Sequence, residues 1–256
     1  MQTRDFLLGT VFLLAAASFV AGKTARPAAN AVPGTGRQSE TGAIFSDRTV
    51  ASIAQLTAPK KANVLYLRGV RALQAGRVDE AARDAEQSIQ AGARFSDVYA
   101  LAATAELSQR DFVQAQSTAR AAIHADSSSI KAYVVLATAD NYLGQYADAV
   151  TALAPVQDAS GQWWQIAYQQ ARAEAGLENA QAALEWSNRA ALQAPAGFAP
   201  LHLLHASALA ALAQYAQAAE ELEIYLQLEG DQAPQRAALQ KELEHLRQLA
   251  QRPAQN

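Results

Sequence analysis

The sequence contains no cysteine, a single methionine, eight prolines and thirteen glycines in 256 residues. Without cysteine there can be no disulfide, no thiolate metal site, no cysteine nucleophile and no lipid-modified N-terminal cysteine. Aromatic residues are scarce at 7%, although half of the chain is hydrophobic, so the apolar content is mostly alanine and leucine. That mixture favours helices packed at close range over a β-sandwich, and the prolines and glycines are too few for a chain built on many turns. Charge of one sign is nowhere concentrated, and the net charge is −3. A clustered basic face, the footprint of nucleic-acid binding, is therefore missing. So are a glycine-rich phosphate loop, a nucleophile elbow and a zinc-protease motif. The expectation is an all-α chain that is not an enzyme, uses no cofactor or metal, and takes neither nucleic acid nor a small-molecule substrate.

What is present begins with an uncharged run of 17 residues from Phe6 to Gly22, behind Arg4. As a helix it would span roughly 26 Å, close to the ~30 Å hydrocarbon core of a bilayer. Phe6, Leu7, Leu8, Val11, Phe12, Leu13, Leu14, Phe19 and Val20 supply its apolar surface. The run exceeds the usual core of a cleaved signal, so residues 1–22 read as a retained anchor, with a signal peptide cut after Val20-Ala21-Gly22 as the alternative. A short N-terminal tail stays inside, which sends the rest of the chain across the membrane, to the periplasmic side of an inner membrane; a soluble periplasmic protein or a cytoplasmic orientation are the other placements. Residues 23–45, rich in proline, glycine, alanine and small polar residues, form a linker without hydrophobic period. Residues 46–61 predict a leading helix with Val50, Ile53 and Leu56 on one side, ended by Pro59.

Beyond this point a small residue follows each turn at a fixed distance: Ala81, Ala115, Ala149, Ala183 and Ala218, at intervals of 34, 34, 34 and 35 residues. A second series of small residues precedes it: Gly69, Ala103, Ala137, Ala171 and Ala206. Glycine punctuates the turn at Gly76 and Gly144, and aromatics follow it at Phe112, Tyr146 and Tyr215. Two antiparallel helices reach the near end of the ~8–10 Å packing range only with alanine or glycine at the crossing. Each such hairpin leaves an apolar edge that it cannot bury alone, so neighbours must stack.

This period and these small residues resemble the tetratricopeptide repeat (TPR) family. The resemblance covers residues 62–230, in units 62–95, 96–129, 130–163, 164–198 and 199–230, although the family's tryptophan and Leu-Gly pair are mostly missing. It implies a right-handed α-solenoid of about five repeats. Residues 231–256 then predict a capping helix and tail, with Leu239, Leu243, Leu246 and Ala250 on one stripe. Two irregularities are expected: Pro155 ends or kinks the second helix of the third unit, and Gly176 cuts short the first helix of the fourth.

The resemblance also implies a concave face lined by the first helix of each repeat, suited to an extended or helical segment of another protein. Asn63, Tyr66, Lys131, Asn141, Tyr168 and Arg172 are the candidate contacts, since aromatic and arginine side chains dominate interface energetics. Tyr66 and Tyr168 have an alternative reading as space-fillers between repeats. Of Trp163 and Trp164, one is expected to pack and the other to be exposed. His202 and His205 share a helix face but lack a third ligand. The resulting functional expectation is a membrane-tethered scaffold or adaptor for an envelope-associated complex, such as secretion, pilus, polysaccharide-export or respiratory machinery. A periplasmic holdase for unfolded clients is the alternative.

Overall fold

The structure is a computed structural model and describes residues 52–251 apart from Pro234. The anchor of residues 1–22, the linker and the start of the leading helix lie outside the described residues. No described helix is long and apolar enough to cross a membrane. Among the described residues there are twelve α-helices and no strand. They are α1 (Ile53–Thr57), α2 (Lys60–Gln74), α3 (Val78–Gln90), α4 (Ser96–Ser108), α5 (Phe112–Ala125), α6 (Ile130–Tyr142), α7 (Tyr146–Leu153), α8 (Trp164–Gly176), α9 (Ala180–Ala191), α10 (Ala199–Ala211), α11 (Tyr215–Glu229) and α12 (Arg236–Ala250). Two compact units result, residues 52–159 and 160–251, with the boundary inside a 3₁₀ segment, Ala154–Gly161.

Within each unit the helices pair as antiparallel hairpins, and the first helix of one hairpin also packs on the first helix of the next, α2 on α4, α4 on α6 and α8 on α10. The turn inside every hairpin is built identically. Its left-handed residue is Gly76, Arg110, Gly144, Glu178 or Ala213, with φ between 59° and 75°. The following amide reaches back to the helix below in each case: Arg77 to Ala72, Asp111 to Glu106, Gln145 to Asp140, Asn179 to Glu174 and Gln214 to Leu209, at 2.8–2.9 Å. This is the Schellman closure, which satisfies carbonyls that a helix end would otherwise leave unpaired. The backbone therefore repeats with the 34- to 35-residue period of the small residues.

Those small residues sit at the crossings. Ala81, Ala115, Ala149, Ala183 and Ala218 are completely buried, and Ala103, Ala137 and Ala171 are too. At Gly69 a Cβ would lie 2.9 Å from a methyl of Leu101 and 3.2 Å from Cβ of Asp84, so the residue's lack of a side chain lets α2 meet α3 and α4.

One sequence expectation needs correction. Helix α8 runs its full 13 residues through Gly176, because the left-handed turn is taken by Glu178 and not by the glycine. Helix α1 is five residues long, capped by the Ser52 hydroxyl, and its Ile53 and Leu56 are 81% and 72% exposed. On α12, Leu239, Leu243 and Leu246 are buried but Ala250 is exposed. At Pro155, α7 has already stopped at Leu153 and the chain tightens into the 3₁₀ segment, with Ala154 still in the right-handed helical region at φ −52° and ψ −42°.

Candidate functional site

The candidate contacts fall in both units, and each unit places its own. In residues 52–159, Asp97 stands in the first turn of α4, where the helix N-terminus favours a carboxylate. The Tyr66 hydroxyl of α2 donates to its Oδ2 at 3.4 Å, and Nζ of Lys131, from α6, lies 3.6 Å from the same oxygen. One carboxylate thus joins three successive first helices. Tyr66 exposes 3% and Lys131 5% of their surface. Burial, and secondarily the Asp97 charge, push the Tyr66 phenol well above its ordinary range. The tyrosine is a hydrogen-bond donor at any physiological pH and no general base. Its ring also meets Phe95 edge-on at 5.1 Å.

Asn63 is half-buried, and its amide donates to the Gln55 carbonyl at 2.7 Å, fastening α1 to α2. Asn141 is buried at the end of α6, where its backbone carbonyl accepts the Gly144 amide of the turn. Next to it, the Gln116 side chain donates both to Asp140 and to Gln145, at 2.6 Å for the latter. Burial raises Asp140 despite that hydrogen bond. Glu106 is also raised by burial, against the hydrogen bond from Thr118.

In residues 160–251, Tyr168 of α8 packs edge-on against Phe198 at 5.2 Å, and Trp164 meets the same ring at 4.8 Å. The Tyr168–Phe198 contact repeats the Tyr66–Phe95 contact three periods later in the chain, so both tyrosines fill space between successive first helices. Arg172 lies over the Tyr168 ring, 5.8 Å from its centroid, and donates to Gln169 at 3.2 Å. Trp164 is packed and Trp163 half-buried. Of the six candidate contacts, Asn63 and Arg172 keep the most surface; Tyr66, Lys131, Asn141 and Tyr168 are engaged inside their units.

His202 and His205 both turn toward Glu221 of α11, with their Nδ1 atoms 2.7 and 3.7 Å from its Oε2. His205 and then His202 hold the Glu221 carboxyl below its usual range. Among the described residues no group of three or more His, Asp or Glu side chains comes together as a metal site. The sequence reading missed Glu221 as the partner of the two histidines, although Glu221 lies 19 and 16 residues beyond them, on the returning helix of the same hairpin. It also missed the outward face of α2, where Val64 and Leu67 are 57% and 46% exposed.

No protein-family model matches this sequence, and no curated protein matches it. Solved structures do. A thermophilic TPR protein of Thermus thermophilus is 16% identical, with a TM-score of 0.57 over 73% of this chain and 99% of that one. MamA from Desulfovibrio magneticus RS-1, residue 41 to the end, is 18% identical, with a TM-score of 0.55 over 70% of this chain and all of that one. In the APC/C hetero-tetramer Cut9–Hcn1 the matched chain is 18% identical, with a TM-score of 0.64 over 77% of this chain but 38% of that one. Helix order, turn geometry and these likenesses agree that the chain has a TPR-like fold.

Proposed function

We propose that this chain is a non-catalytic scaffold that binds segments of partner proteins and is tethered to a membrane by residues 6–22, with its hairpins on the periplasmic side. The observation that carries the reading is the helical hairpin repeated in both units, each with a buried alanine crossing and the same left-handed turn, and with Asp97 joining Tyr66 and Lys131 across successive first helices. Stacked hairpins of this kind present extended surfaces suited to peptide and helix recognition. The uncharged run from Phe6 to Gly22 and the proline- and glycine-containing linker behind it support the tether. An assembly in the cell envelope, of the secretion, pilus, polysaccharide-export or respiratory kind, is the setting in which a tethered scaffold would act.

Affinity purification of the full chain from detergent-solubilised membranes tests this. A folded complex of fixed stoichiometry is the expected product. Recovery only as a free soluble monomer overturns the tethered scaffold, and suppression of aggregation of unfolded clients without a stable complex favours the holdase.

A further inference from the structure

The outward face of α2 combines apolar and cationic side chains. Val64 and Leu67, at i and i+3, point away from the unit and are 57% and 46% exposed. Lys60, Lys61 and Arg71 are exposed on the same helix, and α2 carries no acidic residue. None of these three cations forms an ion pair among the described residues, whereas the neighbouring Arg68 is already engaged by both oxygens of Asp84. The short helix α1 leaves its own Ile53 and Leu56 turned outward at 81% and 72% exposure.

The other terminal hairpin shows what such a face accepts. Helix α12 packs on α11 through Leu239, Leu243 and Leu246, at i, i+4 and i+7, which are 1, 8 and 2% exposed. A terminal hairpin of a repeat stack needs a helix with one apolar stripe and a polar outer face to close it. At α2 no described helix does so.

We infer that α2 is a docking surface for a partner protein's acidic amphipathic helix, which closes this hairpin as α12 closes α10–α11. The inference rests on the scaffold reading and names one of its contact surfaces. Charge selects the occupant. A second copy pairing α2 with α2 would set Lys60 against Arg71 in antiparallel register, or like against like in parallel, and either arrangement is repulsive. The chain's own residues 1–51 carry Arg4, Lys23, Arg26, Arg37 and Arg48 against Asp5, Glu40 and Asp47, so their net charge is of the wrong sign. A helix rich in Asp and Glu, with apolar residues every three or four positions, satisfies the cations and covers Val64 and Leu67 together.

The test is photo-crosslinking from Leu67→p-benzoylphenylalanine in the full-length protein, expressed in the cells from which the sequence comes, with the adduct peptide sequenced. The expected adduct is a partner segment in which acids outnumber bases and apolar residues recur at three- to four-residue spacing. Its yield should drop about tenfold or more in the triple variant Lys60→Glu, Lys61→Glu, Arg71→Glu, where attraction becomes like-charge repulsion. An unchanged urea midpoint for that variant shows that the fold survives. An adduct to a second copy, to lipid or to a basic segment overturns the inference, as does no adduct. If Leu67→Asp leaves the purified complex intact, this surface fails while the scaffold stands; if no complex forms even with the unmodified chain, the scaffold reading itself fails.

Discussion

Residues 52–159 and residues 160–251 are built from the same hairpin, yet they differ in how they finish, where they keep charge and which residues turn the chain. The later unit closes its last hairpin with α12. Among the described residues the earlier unit opens with a five-residue α1 whose two large apolar side chains are exposed. A hairpin stack is therefore not self-sufficient: the period builds the interior, and a terminal face is covered only if a further helix, from this chain or from another, lies on it.

The sharpest way to break this comparison is a matched pair of truncations. Leu239→Ala, at a 1% exposed position on α12, should lower the unfolding free energy by about 2–4 kcal/mol. Leu67→Ala, on the outward face of α2, should change it by less than about 0.5 kcal/mol. Urea denaturation of the full chain reads both. Equal losses would mean that α2 is as well covered as α11.

The alanine crossings test where the two units are alike. Ala115→Leu in the earlier unit and Ala183→Leu in the later one each force a branched side chain into a completely buried contact. Each should cost about 1–3 kcal/mol by overpacking. A loss in one unit but not in the other, in the same urea measurement, would show that the shared register stops at the boundary.

The interior was legible in the sequence because each crossing tolerates only a small side chain, and five such constraints at a fixed period cannot be mistaken for amphipathic noise. The turn was legible only where it held glycine. Glu178 escaped notice because the bonds of Glu178 to Ala175 and of Asn179 to Glu174 hold the left-handed conformation without glycine's help. Gly176, the nearest glycine, drew attention two residues too early. The ends were illegible for another reason. Ile53 and Leu56 form an apolar stripe, but a stripe says which face can be buried, not whether anything in the chain lies against it. Among the candidate contacts, Tyr66 and Lys131 could have been paired through Asp97, which stands 31 and 34 residues from them, near one period in each direction. What hid the rest was physical: surface left on a first-helix residue depends on the neighbouring hairpin, which no local pattern encodes.

Charge separates the units next, and pH is the lever. Glu221 has a folded value lowered by His205 and His202, so its contribution is complete above the unfolded glutamate value of about 4.3 and is lost as pH falls through the lowered one. Asp140 has a folded value raised by burial, so its contribution is complete below about pH 3.9 and is lost as pH rises through the raised value. Glu221→Gln should cost about 1 kcal/mol at pH 7, for a partly exposed charged hydrogen bond, and flatten the decline of stability on the acid side. Asp140→Asn should act oppositely, removing a penalty that grows toward neutral pH. Urea midpoints between pH 3 and pH 7 decide the matter, and a parallel displacement of both profiles would refute the contrast.

The smallest effects lie in the turns, where the earlier unit uses Gly76, Arg110 and Gly144 and the later one uses Glu178 and Ala213, all left-handed. A left-handed residue with a Cβ carries a penalty of roughly 1–2 kcal/mol, which glycine avoids at some expense in unfolded-state entropy. Glu178→Gly and Ala213→Gly should therefore raise the unfolding free energy by about 0.5 kcal/mol each. Gly144→Ala should lower it by about 1 kcal/mol, although an added Cβ there meets no atom within 4 Å. That empty space makes the substitution informative. A loss at Gly144 cannot come from a clash, so it isolates backbone conformation as the cause, while gains at Glu178 and Ala213 would show the later unit carrying strain that the earlier one relieves at two of its three turns. If Gly144→Ala is neutral, the left-handed penalty is absorbed by the Schellman bonds, and the two units are equivalent at their turns.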